Sequence, residues 1–454
     1  MSEQFDLLLR GGHCVTPGGL VRADVAVRRG SIVAIDVLPA SVGAAEVVDA
    51  RGLTILPGAI DTQVHFREPG NVHKEDLATG TAAAALGGVT AVFEMPNTDP
   101  STTTRALLED KLTRARGRAW VDHAFFVGAT AENADSLGAL ELTPGCSGVK
   151  CFMGSSTGNL LVPDDATLER VLRSGTRRVA VHAEDQDLLE QGKQLLGAQP
   201  SPTLHPFVRS PEAALKATQR LIAAAERIGR RVHVLHVTTL QEVAFLAEHR
   251  ERATFEITPQ HLTLRAPDCY EQLGTLAQMN PPIRDASHQE ALWRAVQSGL
   301  VDVIGSDHAP HTLEEKAKPY PQSPSGMPGV QTILPLMLDH AHQGRLSLLR
   351  VVDLLAHGPA RVYNIANKGR LALGYDADFS IVDLERAQTL SDAMVASRCG
   401  WTPFRGRTLT GWPVMTVVRG RIVARDGQLV GSPSGAPVRF ADVPAPPPSE
   451  AVPS

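Results

Sequence analysis

The sequence is poor in aromatic residues: 12 Phe, 4 Tyr and 4 Trp make up 4 % of its 454 positions. That argues against a stacking platform for single-stranded nucleic acid, which needs a row of rings. A basic excess is also missing, with 44 Lys and Arg against 49 Asp and Glu for a net charge of −5. Nucleic acid is therefore not expected as a partner, because phosphate contacts need clustered Lys and Arg. No apolar run approaches the ~20 residues of a membrane span. The opening MSEQFDLLLRGG lacks the basic-then-apolar order of a signal peptide, so a cytoplasmic location without a membrane partner is expected. The five cysteines (Cys14, Cys146, Cys151, Cys269, Cys399) form no CxxC. They read as reduced thiols rather than a disulfide frame or a zinc ribbon.

What is present is strand-like alternation at both ends and repeated β–α units between them. FDLLLRGGHCVT, GLVRADVAVRRGSIVAI and AEVVDARGLTILPG alternate β-branched and polar residues with Gly at the turns, and ADFSIVDLE and PVMTVVRGRIVARDGQLVG repeat the pattern late in the chain. An isolated hairpin is only marginally stable, so residues 1–56 and 367–432 are expected to share one small β domain. Between them, TAVFEMP, SGVKCFMG, RRVAVHAED, RRVHVLHVT, ATFEITP and VDVIGSDHAP alternate with helical stretches such as SPEAALKATQRLIAAAERIG. Such units imply a parallel sheet, and about eight of them suit a (β/α)8 TIM barrel over residues 57–366. An open doubly wound sheet is the competitor, but no GxGxxG follows the early strands. The Pro-rich stretch 433–454 reads as a poorly ordered tail or a strap over the surface.

Many of the barrel strands end in a metal-capable or acidic residue, and in a barrel those ends form the active-site face. Period two places Asp61, Gln63 and His65 on one strand face. Lys150 follows in GVKCFMG, His182 in VAVHAED, His236 in VHVLHVT and Asp307 in VIGSDHAPH. One such His is ordinary core; four strands ending in His, Lys, His and Asp point to a shared metal site. Imidazole and carboxylate donors suit zinc, which lowers the pKa of a bound water to about 7. A lysine buried beside cations loses its proton readily and can add CO2 as a carbamate able to bridge two ions. An aspartate beside the activated water can pass its proton to a leaving nitrogen, which is the chemistry of amide hydrolysis.

At these residues the chain resembles the amidohydrolase superfamily and, within it, the dihydroorotase family. The motifs that carry the resemblance are HFREPG at 65–70, EMPNTDP at 94–100, GVKCFMGSSTGN at 148–159, MNPPIR at 279–284, SDHAPHT at 306–312 and the later CGWTPFRGRTLTGWPV. The resemblance implies reversible closure of N-carbamoyl-L-aspartate to L-dihydroorotate in pyrimidine synthesis. It implies one or two zinc ions, two favoured, held by His65, a carboxylated Lys150, His182, His236 and Asp307, with Asp307 also shuttling the proton. It further implies that Arg67, Asn97, Asn280 and His311 contact the substrate, Arg67 and Asn97 at its free carboxylate. Each has a plainer alternative: Arg67 pairing with Glu68 or Glu75, Asn97 and Asn280 shaping turns, His311 as a supporting hydrogen bonder. Likewise SPSGMPG at 323–329 reads either as a mobile flap or as a surface loop.

The family pattern is DxHxH, and Gln63 stands where the first histidine is expected. Its amide oxygen is a weaker zinc partner than imidazole nitrogen, so Gln63 either coordinates through oxygen, sits back, or leaves the protein with one metal. Two competing functions follow. One is another cyclic amidohydrolase of the allantoinase or hydantoinase type. The other is a catalytically weak dihydroorotase-like scaffold for aspartate transcarbamoylase. A homo-oligomer is expected in either case.

Overall fold

The computed structural model describes residues 5–156 and 160–442. The amino-terminal strands are β1 (Phe5–Thr16), β2 (Gly19–Arg28), β3 (Ser31–Asp36), β4 (Ala44–Asp49) and β5 (Thr54–Pro57). Eight more follow: β6 (Ala59–Val64), β7 (Val89–Glu94), β8 (Asp122–Gly128), β9 (Cys146–Phe152), β10 (Val179–His182), β11 (Val232–Val234), β12 (Ala253–Ile257) and β13 (Val303–Ile304). The last are β14 (Phe379–Thr389), β15 (Thr408–Val418), β16 (Arg421–Arg425) and β17 (Gln428–Leu429).

Strands β6 to β13 pair in chain order as one parallel sheet. A parallel bridge from Val64 to His308 draws its two ends together into a barrel. This excludes the open doubly wound alternative. The helices between strands carry the expected punctuation. Helix Pro211–Ile228 starts at the Ser210 cap with Pro at its first position and stops at Gly229 in the left-handed conformation. Every residue of β7, β8 and β9 is buried, as a sheet covered on both faces requires.

The two chain ends meet in a second, mixed sheet, in which β14 lies antiparallel to β5 with Ile381 opposite Ile55. Leu7, Val25, Ile55, Phe379 and Val417 form its core. The stretch 433–442 is a strap across the bottom of the barrel, opposite the active-site face. The amide of Gly435 donates to the Ala119 carbonyl and that of His123 to Ala436. Phe440 packs edge-on against Phe93, with ring centroids 5.7 Å apart. The rest of the tail, 443–454, lies outside the described residues. All five cysteines are buried and free. Among the described residues no helix is long and apolar enough to cross a membrane.

Where strap, barrel and β domain meet, the buried Lys368 ammonium contacts Asp122 at 2.6 Å, Asp376 at 3.1 Å and Asp378 at 2.6 Å. Arg419 also reaches Asp122 at 3.3 Å and Arg439 reaches Asp376 at 2.8 Å, so removing Lys368 strands chiefly the buried Asp378. Lys368→Met is expected to cost about 3–5 kcal/mol of unfolding free energy, measured by denaturant titration. A loss below about 1 kcal/mol would show that water reaches the cluster.

Candidate active site

The residues singled out at the strand ends converge on one pocket. Gln63, His65, Arg67, Asn97, Lys150, His182, His236, Asn280 and Asp307 all line it, together with Phe152, Ser156, Ala309, Ser325 and Gly326. His311 stands behind Arg67. Three of the site residues, Arg67, His236 and Asp307, hold positive φ values of 63°, 38° and 45°. A non-glycine residue accepts that strain only where its surroundings fix it, and such positions cluster at functional sites.

Strand β6 supplies the first group. Asp61 is fully buried, and its Oδ1 accepts from the amides of Gln63 (3.2 Å) and Ser306 (3.0 Å), tying the first strand to the turn that carries Asp307. Burial pushes the Asp61 carboxyl up to about 7. Gln63 donates its amide nitrogen to Asp307 at 3.1 Å, which leaves its buried Oε1 without a hydrogen-bond partner. The His65 ring donates Nδ1–H to the Asn97 side-chain oxygen at 2.7 Å and turns Nε2 to Asp307 Oδ1 at 3.1 Å. Asn97 therefore orients His65 as well as lining the pocket.

Across the pocket, His182 Nδ1 and His236 Nε2 face each other at 3.0 Å. Glu184 Oε2 sits 2.8 Å from the other His182 nitrogen, and Arg209 braces Glu184. Lys150 lies between the two groups. It is 1 % exposed, its Nζ sits 4.4 Å from the Phe152 ring centroid, and it forms no ion pair among the described residues. Burial pulls its pKa down to about 7, so a large share is neutral amine near neutrality. Burial raises the Asp307 carboxyl, but the His65 contact and the charges of His236 and Lys150 outweigh this and hold it below the usual carboxylate range.

These residues fit a metal. A ring nitrogen and a carboxylate oxygen at 3.1 Å need a shared cation, either a proton or a metal ion. Burial disfavours the proton by pushing His65 down. The 3.0 Å separation of the two facing imidazole nitrogens is close to the edge of about 3.3 Å that a tetrahedral zinc with 2.0–2.1 Å bonds would span. The orphaned Gln63 oxygen is a further neutral donor. Among the described residues, no three His, Cys, Asp or Glu side chains converge tightly enough to hold a metal alone. The donors come as two pairs with Lys150 between them, which is where a carbamate would join them. Gln63→His is expected to raise the metal retained after dialysis, read by elemental analysis. Unchanged metal content and rate would remove Gln63 from the donor set.

Arg67 settles one alternative. Its suggested acidic partners are engaged elsewhere: Glu68 with Arg118 at 2.7 Å, and Glu75 with His308 at 3.3 Å and with Ser397. Arg67 is 4 % exposed and forms no ion pair among the described residues. Its Nε donates to the Pro310 carbonyl at 3.2 Å. Its Nη2 lies 3.3 Å from His311 Nε2, but that nitrogen also sits 3.1 Å from the Ser325 carbonyl, while Lys74 Nζ lies 3.2 Å from Nδ1. One tautomer satisfies all of this, with Nδ1 accepting from Lys74 and Nε2–H donating to Ser325. The Arg67 Nη2 hydrogens are then unspent. Burial lowers Arg67 to about 10, which leaves it charged at neutral pH.

The segment 323–329 is packed into the protein rather than laid over its surface. Gln278 Nε2 donates to the Ser323 carbonyl at 3.1 Å, Gly326 N–H donates to the Gln278 carbonyl at 2.9 Å, and Ser323, Gly326 and Met327 are buried. Its Ser325 and Gly326 form a wall of the pocket. The late CGWTPF motif supports the same region, since Trp401 Nε1 donates to the His311 carbonyl at 2.8 Å.

The pocket thus gathers His, Lys and Asp side chains from the ends of the barrel strands, the face on which such barrels carry their active sites. The sequence profile of the amidohydrolase family matches residues 54–423, and the chain belongs to that family. Within it, the chain is a cyclic amidohydrolase. It is 38 % identical over 86 % of its length to a dihydroorotase of Halobacterium salinarum, covering 91 % of that protein. It is 36 % identical over 96 % of its length to an allantoinase of Rubrobacter xylanophilus, covering 98 % of that protein. The crystallised L-hydantoinase (dihydropyrimidinase) of Arthrobacter aurescens superposes with a TM-score of 0.90 at 29 % identity, covering 96 % of this chain and all of that one.

Proposed function

We propose that the protein is a dihydroorotase, interconverting L-dihydroorotate and N-carbamoyl-L-aspartate in pyrimidine biosynthesis. One observation carries this choice among cyclic amides: Arg67 is a buried guanidinium with no carboxylate of its own, turned toward the pocket. A buried cation left unpaired is costly, and a substrate carboxylate would complete it in bidentate fashion. A hydantoin with an apolar substituent offers nothing to that group.

His65, carboxylated Lys150, His182, His236 and Asp307 would hold one or two zinc ions, with Gln63 able to add its oxygen. Bound zinc supplies an activated water near neutral pH and polarises the ring carbonyl. In hydrolysis, Asp307 accepts the proton of the attacking water as its oxygen joins the ring carbonyl carbon. Asp307 then delivers that proton to the ring nitrogen as the C–N bond breaks. Gln63 and His65 hold the carboxylate in line for both transfers. Glu184 fixes the His182 ring from behind, as carboxylates do for metal-binding imidazoles.

The test is turnover of N-carbamoyl-L-aspartate and of L-dihydroorotate, run beside allantoin and 5-substituted hydantoins. Turnover of the two acids supports the proposal. Turnover confined to allantoin or hydantoins sinks it in favour of that substrate class, and inactivity on every compound by metal-loaded protein favours a scaffold.

A further inference from the structure

Lys316 closes the short helix Leu313–Lys316 just after SDHAPHT and is fully buried. It forms no ion pair among the described residues. Its Nζ instead donates to three main-chain carbonyls: Gln278 at 3.1 Å, Pro324 at 2.8 Å and Gly326 at 3.1 Å. Two of these bracket Ser325, whose own carbonyl receives His311 Nε2–H, and both Ser325 and Gly326 line the pocket. Three acceptors use the full donor complement of an ammonium, whereas a neutral amine could donate to only two of them. Burial pulls in the other direction, lowering the Lys316 pKa to about 7. The wall it grips has no slack on its far side. Gly326 has φ +135°, and a Cβ there would stand 2.4 Å from the Ala309 carbonyl, two residues past Asp307.

We propose that Lys316 is a positioning residue for substrate binding: its ammonium clamps Pro324 and Gly326 so that the Ser325–Gly326 wall is held beside Arg67 and His311 at the pocket. Lys316 touches no reacting atom. It sets the width of the chamber by tying residue 316 to the segments around 278 and 325, and so reinforces the bond those two make directly through the Gly326 N–H and the Gln278 carbonyl. Loosening the clamp lets the wall retreat from bound substrate without disturbing Asp307, so affinity is lost before the chemical step.

The test compares Lys316→Met with wild type in the full chain. The first readout is hydrogen exchange without substrate: the Gly326 amide is expected to exchange about tenfold faster while amides of β14 keep the wild-type rate. The second is kinetic, on whichever cyclic amide the wild type turns over: KM is expected to rise about tenfold with kcat within about threefold. Lys316→Gln, which keeps two N–H donors, is expected to fall between the two, and it carries the test if the Met variant does not fold. The inference rests on the cyclic-amide reading, but the exchange measurement needs no substrate. Wild-type inactivity on every cyclic amide would therefore defeat that reading alone. Unchanged exchange at Gly326 overturns the clamp. Faster exchange with unchanged KM, acceleration throughout β14, or a fall in kcat with KM preserved overturns the positioning role.

Discussion

Arg67→Met is expected to lower kcat/KM for L-dihydroorotate by about 10²–10⁴-fold, since two charge-assisted hydrogen bonds of about 1.5–3 kcal/mol each would be lost. The fold should tolerate the change. Methionine fills much of the space of the arginine stem, and the only bond the native side chain spends within the protein through Nε is that to the Pro310 carbonyl. The loss should therefore appear in turnover and not in thermal stability. Specificity should relax at the same time. A neutral cyclic amide such as dihydrouracil has no carboxylate to lose, so its turnover should change by less than about tenfold. Near-normal dihydroorotate turnover by the variant would show that the carboxylate binds elsewhere.

Asp307→Asn is expected to lower kcat by about 10²–10⁴-fold, the usual worth of a positioned proton carrier. Asparagine keeps the shape, and its oxygen can still accept from Gln63. What it cannot do is take a proton from water and return it to nitrogen. The same aspartate is also placed among the metal donors, so the variant must be compared at matched metal content. With metal retained, KM should stay near the wild-type value while kcat falls. A kcat within about tenfold of wild type at full metal content would give the proton transfer to another group.

Much of this site is legible in the amino-acid sequence alone. The strand ends declare themselves because a polar residue that closes an apolar run must point somewhere specific, and Gln63, His65, Lys150, His182, His236 and Asp307 do meet in one pocket. The shared β domain follows from two alternating segments too short to stand alone. Other features are hidden for physical reasons. Whether Arg67 pairs with Glu68 or Glu75 depends on Arg118, His308 and Ser397, which lie far away in the chain. Lys316 closes a Leu-Glu-Glu-Lys turn and reads as one more solvated charge; only the tertiary approach of Gln278 and Gly326 buries it. The strap is ambiguous in sequence because Val438 and Phe440 are two apolar residues in a proline-rich stretch, too few to set a period. The HAED spacing carries a usable hint of Glu184, since a carboxylate two residues past a ligand-type histidine can return to its ring.

The pairing of β5 with β14 also imposes an order of events on synthesis. Ala59, just past β5, and Ser380, in β14, are hydrogen-bonded across 321 residues of chain. At about 5–20 residues per second, a ribosome needs roughly 15–65 s to cover that distance. Throughout it, β1 to β5 have been made but lack the strand that completes their sheet, while the whole barrel emerges behind them. Leu7, Val25 and Ile55 spend that interval on an unfinished sheet with an open edge. The nascent protein therefore has an extended window in which its first fifty residues need shielding from neighbouring chains, and rapid translation shortens it.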